Sequence, residues 1–335
     1  MTIERRIAGT DAADGRAGTP APPLAPSRSG TGPGEPRGPD DAAGSRARAV
    51  PPVRLHWWRE ALVALAFYGV YSGIRNLFGS ASVSPGRALD NARHVIRIER
   101  AVGLFHEESV QDLFLHWRPF IRFWNIFYGS LHFVVTIAVL IVLFRRFPER
   151  YRRWRNTLAC TTGLALVGFS TFPLMPPRLL GECATAYGAC LPHYGFVDTL
   201  ARIGGLWSFD SGTMQSISNQ YAAMPSLHFA WSSWCALALV PVLRNRAAKV
   251  ALMIYPWATL FAIVVTANHY WLDAAGGAVV LGVGWVLGGL LLRVADRFHA
   301  RRHLRFDHQR PAHADGPAPD GPTPGPGGPA VPSSV

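Results

Sequence analysis

Met224-Pro225-Ser226-Leu227-His228 and His269-Tyr270-Trp271-Leu272-Asp273 each stand where a polar segment gives way to a long apolar run. A histidine with an aspartate four residues on supplies a nucleophile and the carboxylate that orients it. The second histidine, beside a Pro-Ser turn, supplies a proton donor. The apolar runs decide the fold. Six of them approach the ~20 residues an α-helix needs to cross a hydrocarbon core about 30 Å thick. They lie at about 60–78, 123–144, 157–174, 226–243, 249–267 and 271–292, and predict an all-α polytopic membrane bundle of six transmembrane helices.

Composition agrees. Of 335 residues 49% are hydrophobic and 16% charged, against about 25% charged in soluble domains. Residues 1–52 are rich in Pro, Gly, Ala and Arg, and residues 306–335 in His, Pro, Gly and Asp. Neither tail has apolar surface to bury, and both are predicted to be disordered around a membrane domain at 53–305. The N-terminal tail shows no apolar core of a cleavable signal peptide, so the first span is expected to target the chain. The net charge of +12 and pI near 10.3 raise nucleic acid as a partner. The arginines flank apolar runs instead, as Arg145, Arg146, Arg150, Arg152, Arg153 and Arg155 do. That is the signature of cytoplasmic loops beside anionic lipid, so the expected partner is the bilayer and not nucleic acid.

With an even number of spans both termini share one side. A cytoplasmic N-terminus also puts the 145–155 loop, Arg244, Arg246 and Lys249, and the start of the C-terminal tail inside. The loop from 175 to 225, with Arg178 and Arg202, then lies outside, as the positive-inside rule requires. The segment from 79 to 122 opposes this count with Arg87, Arg93, Arg97, Arg100, Arg118 and Arg122. Val95, Ile98, Val102 and Phe105 recur there at helical spacing, predicting an amphipathic helix on the outer membrane surface that braces the bundle. Cys160 and Cys235 fall in apolar spans as packing residues. Cys183 and Cys190 share the outer loop, where a disulfide persists, although spacing alone does not fix their geometry.

This topology brings Arg178, His228, His269 and Asp273 to the extracytoplasmic face. Such a set suits a phosphate ester. His269 attacks phosphorus, and Asp273 fixes its tautomer. His228 protonates the departing alkoxide and then deprotonates the incoming water or alcohol. Arg178 offers a planar fork of donors to the non-bridging oxygens, with Ser226 and nearby backbone amides as neutral donors. Each residue alone is more ordinary: an interfacial histidine or a loop-anchoring arginine is common at the end of a span. Asp273 is the exception, since an unpaired carboxylate entering an apolar helix costs about 2.5–3.5 kcal/mol, and it calls for a partner. Tyr128 and His132, four apart on the second span, are either a buried hydrogen-bonded pair or substrate contacts. A haem-binding reading of His132, His228 and His269 leaves Asp273 unexplained and is opposed by the different depths at which the spans are expected to place the histidines.

The motifs resemble those of the type 2 phosphatidic acid phosphatase superfamily. Ala-Met-Pro-Ser-Leu-His and Asn-His-Tyr-Trp-Leu-Asp, followed by Gly276-Gly277, are similar to its inositol phosphorylceramide synthase-like (inositolphosphotransferase) branch. Tyr128 and His132 resemble a Tyr-x-x-x-His pair of the same branch. The resemblance implies a six-helix bundle from Trp57 to Arg293, a phosphohistidine on His269, Asp273 as its partner, His228 as general acid and Arg178 as the first-motif arginine. It also implies a lipid phosphate substrate and no metal or other cofactor. Leu227 replaces a glycine of the pattern, Thr171 a lysine and Ile263 an arginine. Fewer cations around the phosphate favour diester or transfer chemistry over monoester hydrolysis. The alternative is a non-catalytic lipid-binding or transport protein on a degenerate phosphatase fold. The sequence sets no oligomeric state.

Overall fold

The computed structural model describes residues 55–78, 83–205 and 219–308. The expected N-terminal tail, 1–52, lies outside the described residues, as does the C-terminal tail from 309 on. Residues 306–308 are a correction to that tail: they continue the last helix. Among the described residues there is no strand, only an isolated parallel bridge between Leu174 and Ala222.

The helices are α1 (Trp57–Phe78), α2 (Pro85–Ala101), α3 (Glu107–Leu115), α4 (Arg118–Arg146), α5 (Pro148–Thr171), a short α6 (Thr199–Arg202), α7 (Leu227–Leu239), α8 (Arg246–Val265) and α9 (Trp271–His308). Helix α4 is continuous but carries a π-helical turn at Phe127–Leu131. A 3-10 turn at Val240–Val242 extends α7.

Among the described residues three helices are long and apolar enough to cross a bilayer: α4, α8 and residues Trp271–Phe298 of α9. The chain is thus a membrane protein, and its helices leave residues such as Leu65, Ile137, Trp257, Val283 and Leu290 exposed. The other three expected spans are helical but differ in kind. Helix α7 with its 3-10 turn is apolar but short, and α1 begins with Arg59 and Glu60. Helix α5 opens on Pro148 at its first turn and carries Arg150, Arg152, Arg153 and Arg155 before its inner half.

Helix α5 is polar because it is enclosed. It packs against α9, α7, α4 and α1, burying Thr157, Thr161 and Thr162 with Ala165, Leu166 and Phe169. Its threonines meet a stripe of glycines on α9. A Cβ built on Gly288 would lie 2.7 Å from the Thr157 nitrogen, and one on Gly284 would lie 2.9 Å from that of Thr161. Small residues let the two backbones touch, the usual means of joining helices where solvent exclusion contributes little.

The arginines at the start of α5 fasten the same end of the bundle. Arg155 donates to both oxygens of Glu60 on α1 at 2.6 Å, and the Tyr151 hydroxyl adds a bond to Glu60. Arg152 pairs with Asp296 of α9 at 2.6 Å. Arg150 donates to the carbonyls of Ala238 (2.6 Å) and Leu237 (3.0 Å), two of the carbonyls that the end of α7 leaves without helical partners.

Helix α2 forms as expected, started by the Ser84 cap and Pro85. The buried residues are Ala88, Ala92, Val95, Ile96 and Glu99, while Ile98 and Val102 are exposed. Small alanines win the inner face because α2 lies close on the 171–175 backbone: Met175 N–H donates to the Ala88 carbonyl, and Asn91 donates to that of Pro173 at 2.8 Å. The long loop after α5 is sewn to α3 and α4 by the Gln111–Val197 pair and by Asn125, which donates to the carbonyls of Thr199 and Gly204. Within it Cys183 and Cys190 are bridged.

Gly288→Ala is expected to destabilise the bundle by about 1–3 kcal/mol, the usual cost of overpacking. Gly282→Ala, whose Cβ would meet nothing within 4 Å, is expected to be neutral or slightly stabilising. Thermal unfolding of both variants in detergent checks the pair.

Candidate active site

The two motif stretches are joined through their backbones. The Ser226 N–H donates to the Asp273 carbonyl at 2.9 Å. Gly277, one turn further along α9, permits this approach, since a Cβ there would lie 2.5 Å from the Ser226 carbonyl oxygen. Ser226 is the N-cap of α7, its hydroxyl accepting from the Phe229 N–H, and His228 follows in the first turn. Ser226 is fully buried, its amide is engaged, and it does not line the cavity described below. Its position is that of a helix cap.

His269 stands on the five-residue link between α8 and α9. The link is fixed from within. The Thr266 hydroxyl donates to the Ala262 carbonyl, Asn268 donates to the Thr266 hydroxyl at 2.8 Å, and Ala267 takes a left-handed φ of 53°. His269 Nδ1 lies 3.2 Å from Asp273 Oδ2, which also accepts the Tyr270 N–H at 2.9 Å. Asp273 is fully buried and His269 is 3% exposed. With Nδ1–H donated to the carboxylate, Nε2 keeps its lone pair, and it has no hydrogen-bond partner among the described residues.

The imidazole of His228 faces that of His269, with ring centres 5.6 Å apart. Tyr128 stacks on His228 at 4.2 Å, and His132 meets it edge-on at 4.2 Å. The three histidines thus share one depth, against the expectation that they lie at different levels. Tyr128 and His132 are bonded, but through the backbone: His132 Nδ1 lies 3.0 Å from the Tyr128 carbonyl, which can only accept. The π turn of α4 carries Tyr128 to this position, as π turns at functional sites commonly do.

A cavity of about 490 Å³ opens beside these rings. Tyr128, His132, His228 and His269 line one part, and the rest is largely apolar or aromatic, including Phe67, Tyr68 and Tyr71 of α1. The α1 residues were not visible as site residues in the sequence, because nothing in an apolar span marks which face meets a cavity.

Arg178 does not line this cavity; it sits on a 3-10 turn, its N–H donating to the Ala267 carbonyl. Its guanidinium donates to Asp198 and, at 2.6 Å, to Gln220. Tyr128 lies within electrostatic range of Arg178, Asp198 and Asp273. Asp198 and Gln220 are further residues the sequence did not reveal, since Asp198 reads only as the cap of a short helix. Among the described residues no group of three or more His, Cys, Asp or Glu is arranged to hold a metal ion.

Fold and site together define a helical membrane protein whose buried polar groups converge on a paired-histidine cavity. The family model of the PAP2 superfamily matches residues 93–287, more than half of the chain. The chain belongs to that superfamily, whose members are generally phosphatases, and the match spans every motif residue named above from Tyr128 to Asp273. Comparison with curated proteins and with solved structures returned no match.

The Arg178–Asp198 pair is buried, with side chains 12% and 7% exposed. Asp198→Ala strands a buried cation and is expected to cost about 3–5 kcal/mol, whereas Arg178→Met with Asp198→Leu recovers most of that loss. Unfolding midpoints of the single and double variants in detergent measure the difference.

Proposed function

We propose that the chain is an integral membrane lipid phosphatase or phosphotransferase that acts on a lipid phosphate ester through a phosphohistidine. The observation that carries this reading is the pairing of a carboxylate-bound imidazole with a second imidazole 5.6 Å away across an apolar cavity. That separation suits one phosphoryl group approached from two sides at hydrogen-bond distances of about 3 Å.

In the first half-reaction His269 Nε2 forms a bond to phosphorus while the bond to the leaving oxygen breaks. His228 gives its proton to that oxygen, and Asp273 holds the Nδ1 proton and offsets the charge that develops on the ring. In the second, His228 takes a proton from water or an alcohol, whose oxygen bonds to phosphorus as the P–N bond breaks. Arg178 is the phosphate-directed cation. Ser226 acts through the α7 cap rather than as a phosphate donor, and Tyr128 and His132 contact substrate or hold His228.

Charge favours transfer from a singly charged ester. Arg178 is already partnered by Asp198. Thr171 and Ile263 stand at the two positions where the resembled pattern has further cations, and Ile263 is wholly buried. A doubly charged monoester would find little to neutralise it. An inositolphosphotransferase-like exchange of headgroups fits this balance, with hydrolysis as the outcome when water is the acceptor.

Six crossings by α1, α4, α5, α7, α8 and α9 remain the reading of the topology, with both termini cytoplasmic and the site at the extracytoplasmic face of the cell membrane. The clustering of Arg150, Arg152 and Arg155 at one end of the bundle supports it. The disulfide in the loop that carries Arg178 supports the opposite assignment for the other end. Those arginines are occupied by partners within the protein, which supports the bilayer over nucleic acid as partner.

His269→Ala and His228→Ala are each expected to lower turnover at least 10²-fold, the scale of general acid–base and nucleophilic contributions. His228→Ala is also expected to accumulate an acid-labile phosphoenzyme. Labelled polyprenyl, diacylglycerol and inositol phosphates, with and without an alcohol acceptor, check this. Turnover unchanged in either variant overturns the mechanism, and lipid binding without turnover in the parent protein favours the non-catalytic alternative.

A further inference from the structure

Two carboxyl groups outside the proposed mechanism lie at the start of α9. Glu99 of α2 and Glu107 of α3 are both fully buried. Glu99 Oε1 accepts the N–H of Leu272 at 2.7 Å, and Glu107 Oε1 accepts that of Trp271 at 3.2 Å. These are first-turn donors of α9, which have no partners within the helix. The remaining oxygen of each glutamate is buried and receives no N–H or O–H among the described residues, and the two carboxyls, on successive amides, lie within interaction range of each other. Two charged carboxylates so placed out of water repel, and one proton held between them removes that repulsion and satisfies the orphaned oxygens.

We propose that Glu99 and Glu107 share a single proton and act as positioning residues, a carboxyl–carboxylate clamp that holds the start of α9 and with it the His269–Asp273 pair. The clamp carries one negative charge, which the helix N-terminus stabilises. The other ionisable groups around it are Asp273 and Tyr270 at the start of α9 and Tyr194 on the loop. The nearby guanidinium of Arg100 lies over the rings of Phe105 and Tyr194. Among the described residues neither glutamate has a basic partner. Burial, then the neighbouring Glu107, push the Glu99 carboxyl up from 4.5 to about 9.

The sign follows. The folded state keeps a proton that the unfolded chain releases above about 4.5, so the pair's contribution to stability is full below that value and is lost as pH rises to about 9. Above about 9 the second charge appears in the folded protein, the carboxyls repel, and the clamp opens. The effect on catalysis rests on the roles proposed for His269 and Asp273, whereas the shared proton does not.

Infrared spectra of the full-length protein in nanodiscs test the proton directly. A carboxylic-acid carbonyl band is expected at pH 8, weakening with a midpoint near 9 and reduced in Glu99→Gln and in Glu107→Gln. An amide keeps both N–H acceptors and donates to the remaining carboxylate, so each variant is expected to keep turnover within about threefold at pH 7.5. Each is also expected to gain stability relative to the parent as pH rises from 5 to 9. Glu99→Ala, which removes the acceptor, is expected to lower kcat at least tenfold without trapping phosphoenzyme. A parent spectrum without the band at pH 8, or a band undiminished in both glutamine variants, overturns the proposal whether or not the protein proves to be an enzyme. If the parent turns over and Glu99→Ala keeps full kcat, the positioning role is overturned.

Discussion

The first turn of α9 is the constraint on which the rest depends. A helix that begins inside a protein presents backbone donors that water cannot reach, and leaving them bare costs as much as a broken hydrogen bond each. Here Asp273 reaches back to the Tyr270 N–H while Glu107 and Glu99 take those of Trp271 and Leu272. The oxygen with which Asp273 caps its own helix is also the one beside His269. Capping and imidazole orientation are therefore one interaction, and the His269 ring cannot turn without loosening the helix start. The backbone bond from Ser226 to Asp273 then registers α7, and with it His228, against the same point. The amphipathic segment and the long loop are the parts that bring buried acceptors and Arg178 to this turn.

The same economy shapes the charges. Cations drawn away from water need partners, and here two are supplied from a distant segment: Asp198 for Arg178, twenty residues along the loop, and Glu60 for Arg155 across the bundle. For the site this has a chemical consequence. An arginine that shares its charge with an aspartate gives a phosphate directional donors but little net positive potential. On the proposed mechanism, such a site distinguishes a transferring phosphoryl group by geometry more than by charge.

Much of the bundle was legible. Apolar runs located the helices to within a few residues at most ends, because their period and length are local properties. Whether a helix faces lipid or neighbours is not local. Helix α5 looked like a span by its apolar half, yet its threonines and arginines answer to α9, α1 and α7. The inner face of α2 is likewise not a local property. Ile98 and Val102 form an exposed apolar stripe, but a helix laid directly on backbone buries small residues, and its inner phase is set by Ala88 and Ala92. Glu99 lies on that phase and so went unnoticed. The His228, His269 and Asp273 stretches stood out because each places polar chemistry at the edge of an apolar run. Asp198 and Gln220 gave no such signal, being polar residues in a polar loop.

The two central imidazoles are held in opposite ways, and the difference matches what each is proposed to do. His269 is fixed by a hydrogen bond to a carboxylate, and its Nε2 has no hydrogen-bond partner among the described residues. His228 has no side-chain hydrogen bond among the described residues and is kept in place by the faces and edges of Tyr128 and His132. A nucleophile needs one fixed state. A group that must give up a proton and take one back needs surroundings that hold it in both, and ring packing depends far less on protonation than a hydrogen bond does. On the proposed mechanism the π turn that presents Tyr128 supplies a flat surface against which the His228 imidazole changes charge without changing position.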